Sequence, residues 1–301
     1  MISVEETKQL LANLGDLDLR EYPSEKVKDA IKGFRAYPLN VTEFNIGNVI
    51  YRIRPNTDNK SFEKPNDLSF KPQEFNKTFQ RASSPNGTMF YGSIIPQENL
   101  DSEVDMARVI AATEASNLIR NKDSADGVEI VSFGKWRVLD TISLGTVVYS
   151  EIEKNVTPYA KGRAKYLLDL LKESPDKAEQ GKLMMDFIAK EFSKKEIRGD
   201  FDYLISALFA ERIVEKGFDG VIYPSVRAEE KGMNVAILPR VVESKMRLEG
   251  VMECRVYKQG EDILVEDSHV AWVNAGDERL KFISIQEDLK KRGGKESDAL
   301  K

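Results

Sequence analysis

Apolar and polar residues alternate along the chain in patterns that change from helical to strand-like and back. Val4, Leu10, Leu11 and Leu14 recur at helical spacing and predict an amphipathic helix near the start. A second helix follows, with Val27, Ile31 and Phe34 on one stripe and Ser24 as its N-cap. Residues 1 to about 45 therefore read as helical and peripheral. The period then switches, and Asn48-Val49-Ile50-Tyr51-Arg52-Ile53-Arg54, ending at Pro55, reads as a strand carrying two arginines. Residues 56–87, rich in Asn, Pro, Ser and Lys, form a long polar connection, and long connections inside a domain are often functional. It ends in the turn-rich stretch Gln80 to Gly87, followed by a short apolar strand over 88–93.

The second half is read the same way. Residues 103–120 predict a helix with Val104, Ala107, Ile110, Ala111 and Leu118 on one stripe, and Glu114 falls on that stripe. Val128 to Phe133 and Trp136 to Leu139 read as two strands. After Pro158, helices are predicted over about 160–173 and 177–193. A third, over 201–216, has Leu204, Ile205, Leu208 and Ile213 on its core face and stops at Gly217. Gly220 to Arg227 is a strand running into a loop, and Asn234 to Pro239 is another strand. From about 245 a β-hairpin leads to a charged helix and a loose tail. The pattern is α+β. It divides into an amino-terminal helical extension, 1–47, a central domain, 48–240, and a hairpin and helix extension, 241–301.

Composition narrows the chemistry. The chain has 301 residues, 41% hydrophobic and 32% charged, enough for a substantial core under a solvated surface. The net charge of −5 gives no whole-chain basic footprint, so nucleic acid is not an expected partner. The charged runs Lys194-Lys195-Glu196 and Lys290-Lys291-Arg292 read as solvated helix faces and a frayed tail. No long apolar run predicts a membrane span, and the acidic start MISVEETKQLL does not read as a signal peptide, so a cytoplasmic location is expected. One cysteine, Cys254, leaves no internal disulfide framework. One histidine, His269, cannot supply the several ligands of a His/Cys zinc site. It lies in the alternating segment Ile263 to Trp272 and reads as a structural strand residue. Chemistry is then left to carboxylates, Arg, Lys, Tyr and Ser, which suits cationic transition states and pre-activated leaving groups.

Three features carry candidate chemistry. Arg52 and Arg54 alternate imperfectly with Ile50 and Ile53, so one of them points into the fold, where it needs an anion from a side chain or a ligand. Glu114 on an apolar helix face either pairs with a core arginine or is a carboxylate held at the edge of a cleft. In Tyr223-Pro224-Ser225-Val226-Arg227, Ser225 either ends a strand in a plain turn or presents its hydroxyl at a sheet edge. It has no Gly-x-Ser-x-Gly context and no activating histidine, so a binding hydroxyl suits it better than a nucleophile. There is no Walker loop, no Gly-x-Gly-x-x-Gly after a strand and no EF-hand pattern.

Together these pieces resemble the RES-domain family, named for its Arg, Glu and Ser. Ile50 to Arg54 resembles the strand with the first family arginine, Arg52. Arg81-Ala82-Ser83-Ser84-Pro85-Asn86-Gly87, running into Phe90-Tyr91-Gly92-Ser93, resembles the second arginine, its turn and the tyrosine strand. Phe218 to Arg227, followed by Asn234 to Pro239, is the most specific match. Where the family usually has glycine before its second arginine, this chain has Gln80. Glu114 fits the local context of the family glutamate, and Glu103 its spacing. The resemblance implies a fold related to the ADP-ribosyltransferases: a split, mostly antiparallel β core surrounded by helices. It implies NAD⁺ as substrate, with release of nicotinamide to water or phosphate and no metal. Glu114 would face the ribosyl cation, Arg52 and Arg81 the pyrophosphate, Tyr91 the nicotinamide or ribose, and Ser225 the ribose or a phosphate. It also implies a toxin with an Xre-type antitoxin as partner. An ADP-ribosyltransferase acting on a macromolecule and a catalytically silent binding module of the same fold are the alternatives.

Overall fold

The computed structural model describes residues 3–34, 40–94, 116–120, 126–173, 175–226 and 232–291. Glu114, Glu103 and most of the helix expected over 103–120 lie outside these residues; its last turn, Asn117–Arg120, is helical. The fold is α+β with mostly antiparallel strands, as expected. Contacts divide it into two compact units, each assembled from three stretches of chain. The first comprises Met1–Phe44, Lys71–Phe90 and Ile142–Pro239. The second comprises Asn45–Phe70, Tyr91–Thr141 and Arg240–Lys301.

In the first unit, β1 (Asn40–Phe44) lies antiparallel to β5 (Ile142–Thr146), β5 parallel to β6 (Gly220–Pro224), and β6 antiparallel to β7 (Met233–Ile237). A parallel pair needs a long crossover. Here it runs through α3 (Pro158–Lys172), α4 (Pro175–Phe192) and α5 (Leu204–Glu215). Thr157 caps α3 through the Ala160 N–H, with Pro158 at the first helical position. At the amino terminus, Ser3 and Glu6 form a capping box on α1 (Val4–Gly15), which packs on α4. The next helix, α2 (Ser24–Lys32), packs on α5 through buried Val27 and Ile31. Ser24 is the first helical residue rather than the expected cap; Pro23 takes that position without a side-chain bond. The helical reading of 1–45 also fails at β1, because its inward residues are the polar Asn40 and Thr42 while Val41 faces out. Those inward groups are satisfied: Asn40 Nδ2 donates to Arg163 O at 2.9 Å, and Thr42 Oγ1 lies 2.6 Å from Thr146 Oγ1 and 2.7 Å from Tyr159 OH. The partner strand β5 was equally unforeseen.

The second unit is an antiparallel sheet in the order β3-β2-β4-β8-β9-β10. Its strands are β2 (Val49–Pro55), β3 (Phe90–Ile94, from Tyr91 on), β4 (Asp126–Val138), β8 (Met246–Gln259), β9 (Asp262–Trp272) and β10 (Ile283–Ser284). The two strands expected over 128–139 are one, with a register shift at Lys135/Trp136 in place of a break. The expected hairpin forms as β8 and β9, with Gly260 at φ +60° in its two-residue turn, and the charged helix after it is Ile285–Lys291. Tyr51, Val131, Phe133, Met252, Cys254, Val256 and Val270 build the core on one face. The other face, under the 56–70 connection, mixes polar residues with buried apolar ones such as Ile50, Trp136 and Val251. There Arg54, Ser132, Glu253 and His269 form one cross-strand row. Glu253 accepts from Asn56 Nδ2 and Ser61 Oγ, both at 3.0 Å, and Ser132 Oγ donates to Asn56 Oδ1 at 2.8 Å. His269 is a strand residue in that row, as expected. No helix of the described residues is long and apolar enough to cross a membrane.

Gly220 marks where the first sheet tolerates no side chain. A Cβ there would lie 2.0 Å from Ala236 O, on the neighbouring strand β7. Gly220→Ala is therefore predicted to destabilise the protein by roughly 3 kcal/mol, the upper range for overpacking, read as a lower urea midpoint. An unchanged midpoint would show that β6 and β7 can separate at no cost.

Candidate functional site

The segment before β3 is built to present Arg81. Gln80 and Ser83 exchange main-chain hydrogen bonds, Gln80 N to Ser83 O at 2.8 Å and Ser83 N to Gln80 O at 3.2 Å, with Ala82 buried. The following turn is stapled by Asn76, whose Nδ2 donates to Ser84 O at 2.8 Å and Gly87 O at 2.7 Å. Asn86 closes it at φ +61°, a left-handed conformation that Asn tolerates. The Pro85-Asn86-Gly87 signature thus marks a real turn, and Arg81 sits just ahead of it.

The Arg81 side chain docks at the carboxyl end of α4. Nη1 donates to Phe192 O at 2.5 Å and Nη2 to Lys194 O at 3.1 Å, while the guanidinium carbon lies 5.1 Å from the centroid of the Tyr203 ring. A helix end leaves carbonyls without intrahelical partners and carries partial negative charge, so a cation is stabilised there. The ring adds a cation–π contact. Among the described residues Arg81 makes no ion pair. A guanidinium has five N–H groups, and two serve these carbonyls.

Three neighbours stiffen this end of the helix. Glu191 is buried and pairs with Lys194 at 2.5 Å. Burial holds its carboxyl above the usual carboxylate range, against the opposing pull of Lys194. Lys194 Nζ also donates to Asp202 O at 3.4 Å. Asp202 is buried too, which pushes its pKa up, but hydrogen bonds from Arg198 prevail and hold it below the usual value. Lys194 was expected on a solvated helix face. It lies beyond the end of α4 and is half-buried, whereas Lys195 and Glu196 are exposed.

Ser225 follows a strand that packs on the same residue, Phe192. The Phe192 ring packs against Tyr223 at 5.1 Å and against Phe209 at 6.3 Å. Tyr223 is fixed in β6, and two residues on, Ser225 N donates to Gly232 O at 2.9 Å, carrying the ladder past Pro224. Ser225 is fully buried. One phenylalanine therefore joins two of the expected residues: its carbonyl holds Arg81 and its ring holds the strand that leads to Ser225.

Arg52 and Tyr91 meet in the second unit. Arg52 Nη1 donates to Tyr91 O at 2.6 Å. Burial, and then the like charge of Arg54, push the Arg52 pKa down to about 9. The two arginines share a face because they are two apart in one strand. Arg54 turns to the 56–70 connection, donating to Asp67 O and lying 5.2 Å over the Phe62 ring. Of the two, Arg52 is the one whose charge burial disfavours. The sequence does not single out Tyr203 or Glu191: the first falls at the start of the helix expected over 201–216 and lies instead in a 3-10 turn, Asp200–Tyr203, and the second is at the edge of a charged run. Among the described residues no group of three or more His, Cys, Asp or Glu is arranged to hold a metal ion.

Residues 164–251 match the model of the RES domain. No curated protein matches the chain. The matched segment contains Phe192, Lys194 and Tyr203, which hold Arg81, and Ser225; Arg52, Arg81 and Tyr91 precede it. Over these residues the chain is similar to the RES domain, which supports the resemblance to that family.

Proposed function

We propose that this protein consumes NAD⁺ in the cytoplasm, breaking the bond between nicotinamide and ribose and passing ADP-ribose to water or phosphate. The observation that carries the reading is Arg81. It is a half-buried cation held by carbonyls and a ring, with no carboxylate to neutralise it among the described residues, and its frame lies in the RES-matching segment. Its remaining donors suit a pyrophosphate oxygen. Arg52, whose charge burial and Arg54 disfavour, is assigned to the pyrophosphate as well. Tyr91 is assigned to the nicotinamide or ribose. Ser225 is assigned to the ribose or a phosphate, which requires the ligand to reach a hydroxyl now fully buried. Nicotinamide leaves as a neutral group, so the step needs no general acid. The ribosyl cation needs a nearby carboxylate, and Glu114 is assigned that part. Unchecked NAD⁺ loss would arrest growth, which makes the protein a toxin and an Xre-type antitoxin its restraining partner.

Purified protein is expected to release nicotinamide from NAD⁺ with or without a chelator, with free ADP-ribose or its phosphate as product. Metal-dependent turnover contradicts the mechanism. NAD⁺ binding without turnover indicates the silent module, and label transferred from NAD⁺ to a macromolecule indicates a transferase.

Arg52→Ala and Arg81→Ala should each weaken NAD⁺ binding by about 1.5–3 kcal/mol, the worth of a charged hydrogen bond. Arg→Lys should restore only part, because lysine lacks the planar fork. If calorimetry finds both alanine variants binding like the parent, neither arginine touches the ligand.

Glu114→Gln should keep NAD⁺ affinity within a few fold and lower the catalytic rate roughly 100-fold or more, the scale of losing one preorganised electrostatic group. Glu103→Gln should do little. A lower melting temperature with full activity per folded molecule would make Glu114 a structural ion-pair member instead. An inactive Glu103→Gln beside an active Glu114→Gln would transfer the role to Glu103.

A further inference from the structure

We propose that Tyr22, in the amino-terminal segment outside the RES match, positions Arg81 by fixing the carboxylate of Asp200. The inference rests on the reading of Arg81 as a phosphate ligand and adds a remote residue to it.

Four observations lead there. Tyr22 ends a 3-10 turn, Leu19–Glu21, in the left-handed region at φ +49°, a conformation that a bulky residue avoids unless its surroundings hold it. That turn lays its ring against Phe79, 6.0 Å between centroids and 20° between planes, and against the edge of Phe201 at 6.5 Å. The Tyr22 hydroxyl donates to Asp200 Oδ1 at 2.5 Å. The other oxygen, Asp200 Oδ2, accepts from the main-chain N–H of Phe79 at 3.0 Å.

The geometry makes this more than a surface contact. Asp200 and Tyr203 open and close one short 3-10 turn, Asp200–Tyr203. Its first residue holds the amide of residue 79, and its last holds the guanidinium of residue 81 from below. Both ends of that three-residue stretch are therefore registered to a single turn. Asp200 is free to rotate about its side-chain bonds, and one hydrogen bond to an amide does not fix both. The Tyr22 hydroxyl occupies the second oxygen and leaves one orientation. The apolar contacts of α1 on α4 and α2 on α5 attach the amino-terminal helices without Tyr22, so its hydroxyl is not needed for that attachment.

The test uses the full chain with Tyr22→Phe, which keeps the ring stack and removes only the hydroxyl, and with Asp200→Asn. Hydrogen exchange is followed at Phe79 to Ser83, and steady-state kinetics are measured on NAD⁺. Both variants should exchange these amides about tenfold faster, with the rest of the first unit unchanged. Both should raise KM for NAD⁺ about tenfold with kcat within about twofold, the pattern of lost binding that ground state and transition state share. A merely structural tyrosine would lower the melting temperature and leave KM alone. Unchanged exchange in both variants overturns the proposal, as does faster exchange with parental KM. If the parent turns over no NAD⁺, the functional reading fails by itself; the brace then stands or falls on whether exchange quickens at Phe79 to Ser83.

Discussion

A helix end and a guanidinium satisfy each other in the first unit, and the candidate site depends on that exchange. The carboxyl end of α4 needs donors for its last carbonyls, and Arg81 needs partners that do not cancel its charge. Main-chain carbonyls meet both needs. A carboxylate in their place would have made a neutral pair and closed the position to any anionic ligand. The buried Glu191–Lys194 pair lies next to these carbonyls but keeps its charge balance to itself. The arrangement orders the cation and leaves its charge available.

The second unit separates two tasks by face. One side of its sheet is a conventional apolar core around Phe133 and Met252. The other carries Arg52, Arg54, Ser132 and Glu253 beneath a connection attached by side-chain hydrogen bonds rather than by hydrophobic burial alone. Leu68 is the exception, fully buried against Gly134, the cross-strand partner of Arg52. A glycine at that point leaves room for the connection to descend onto the sheet beside the arginine.

How much was legible in the sequence follows from what each element uses to hold itself. Strand β6 is apolar on both faces and α5 buries almost its whole length, so both stand out as patterns. The turn after Arg81 is legible through Pro85, Asn86 and Gly87, whose backbone preferences are intrinsic. Strand β1 was misread because Asn40 and Thr42 occupy inward positions, and their hydrogen-bond partners come from α3 and β5, more than 100 residues away. The docking of Arg81 left no trace at all, because its partners are carbonyls, which every residue has. Sequence could nominate Arg81 and Ser225 by resemblance, but only the fold reveals that Phe192 meets Arg81 through its carbonyl and the strand before Ser225 through its ring.

The hairpin of the second unit contains a small irregularity with a large effect. Between Glu253/His269 and Cys254/Asp267 the pairing of β8 and β9 shifts, and Ser268 is left over. Val265 and Val270 are an odd number of residues apart, yet both reach the same apolar face, and Asp267 reaches it as well to accept from Cys254 Sγ at 3.1 Å. Ser268 thus resets the side-chain phase in mid-strand. Loss of Ser268 would place Val265 and Val270 an even number of residues apart and return β9 to regular alternation, with both still facing the core. The facing of β9 is therefore set by its pairing with β8 and not by sequence alternation alone, and the bulge absorbs one extra residue without turning either half of the strand out.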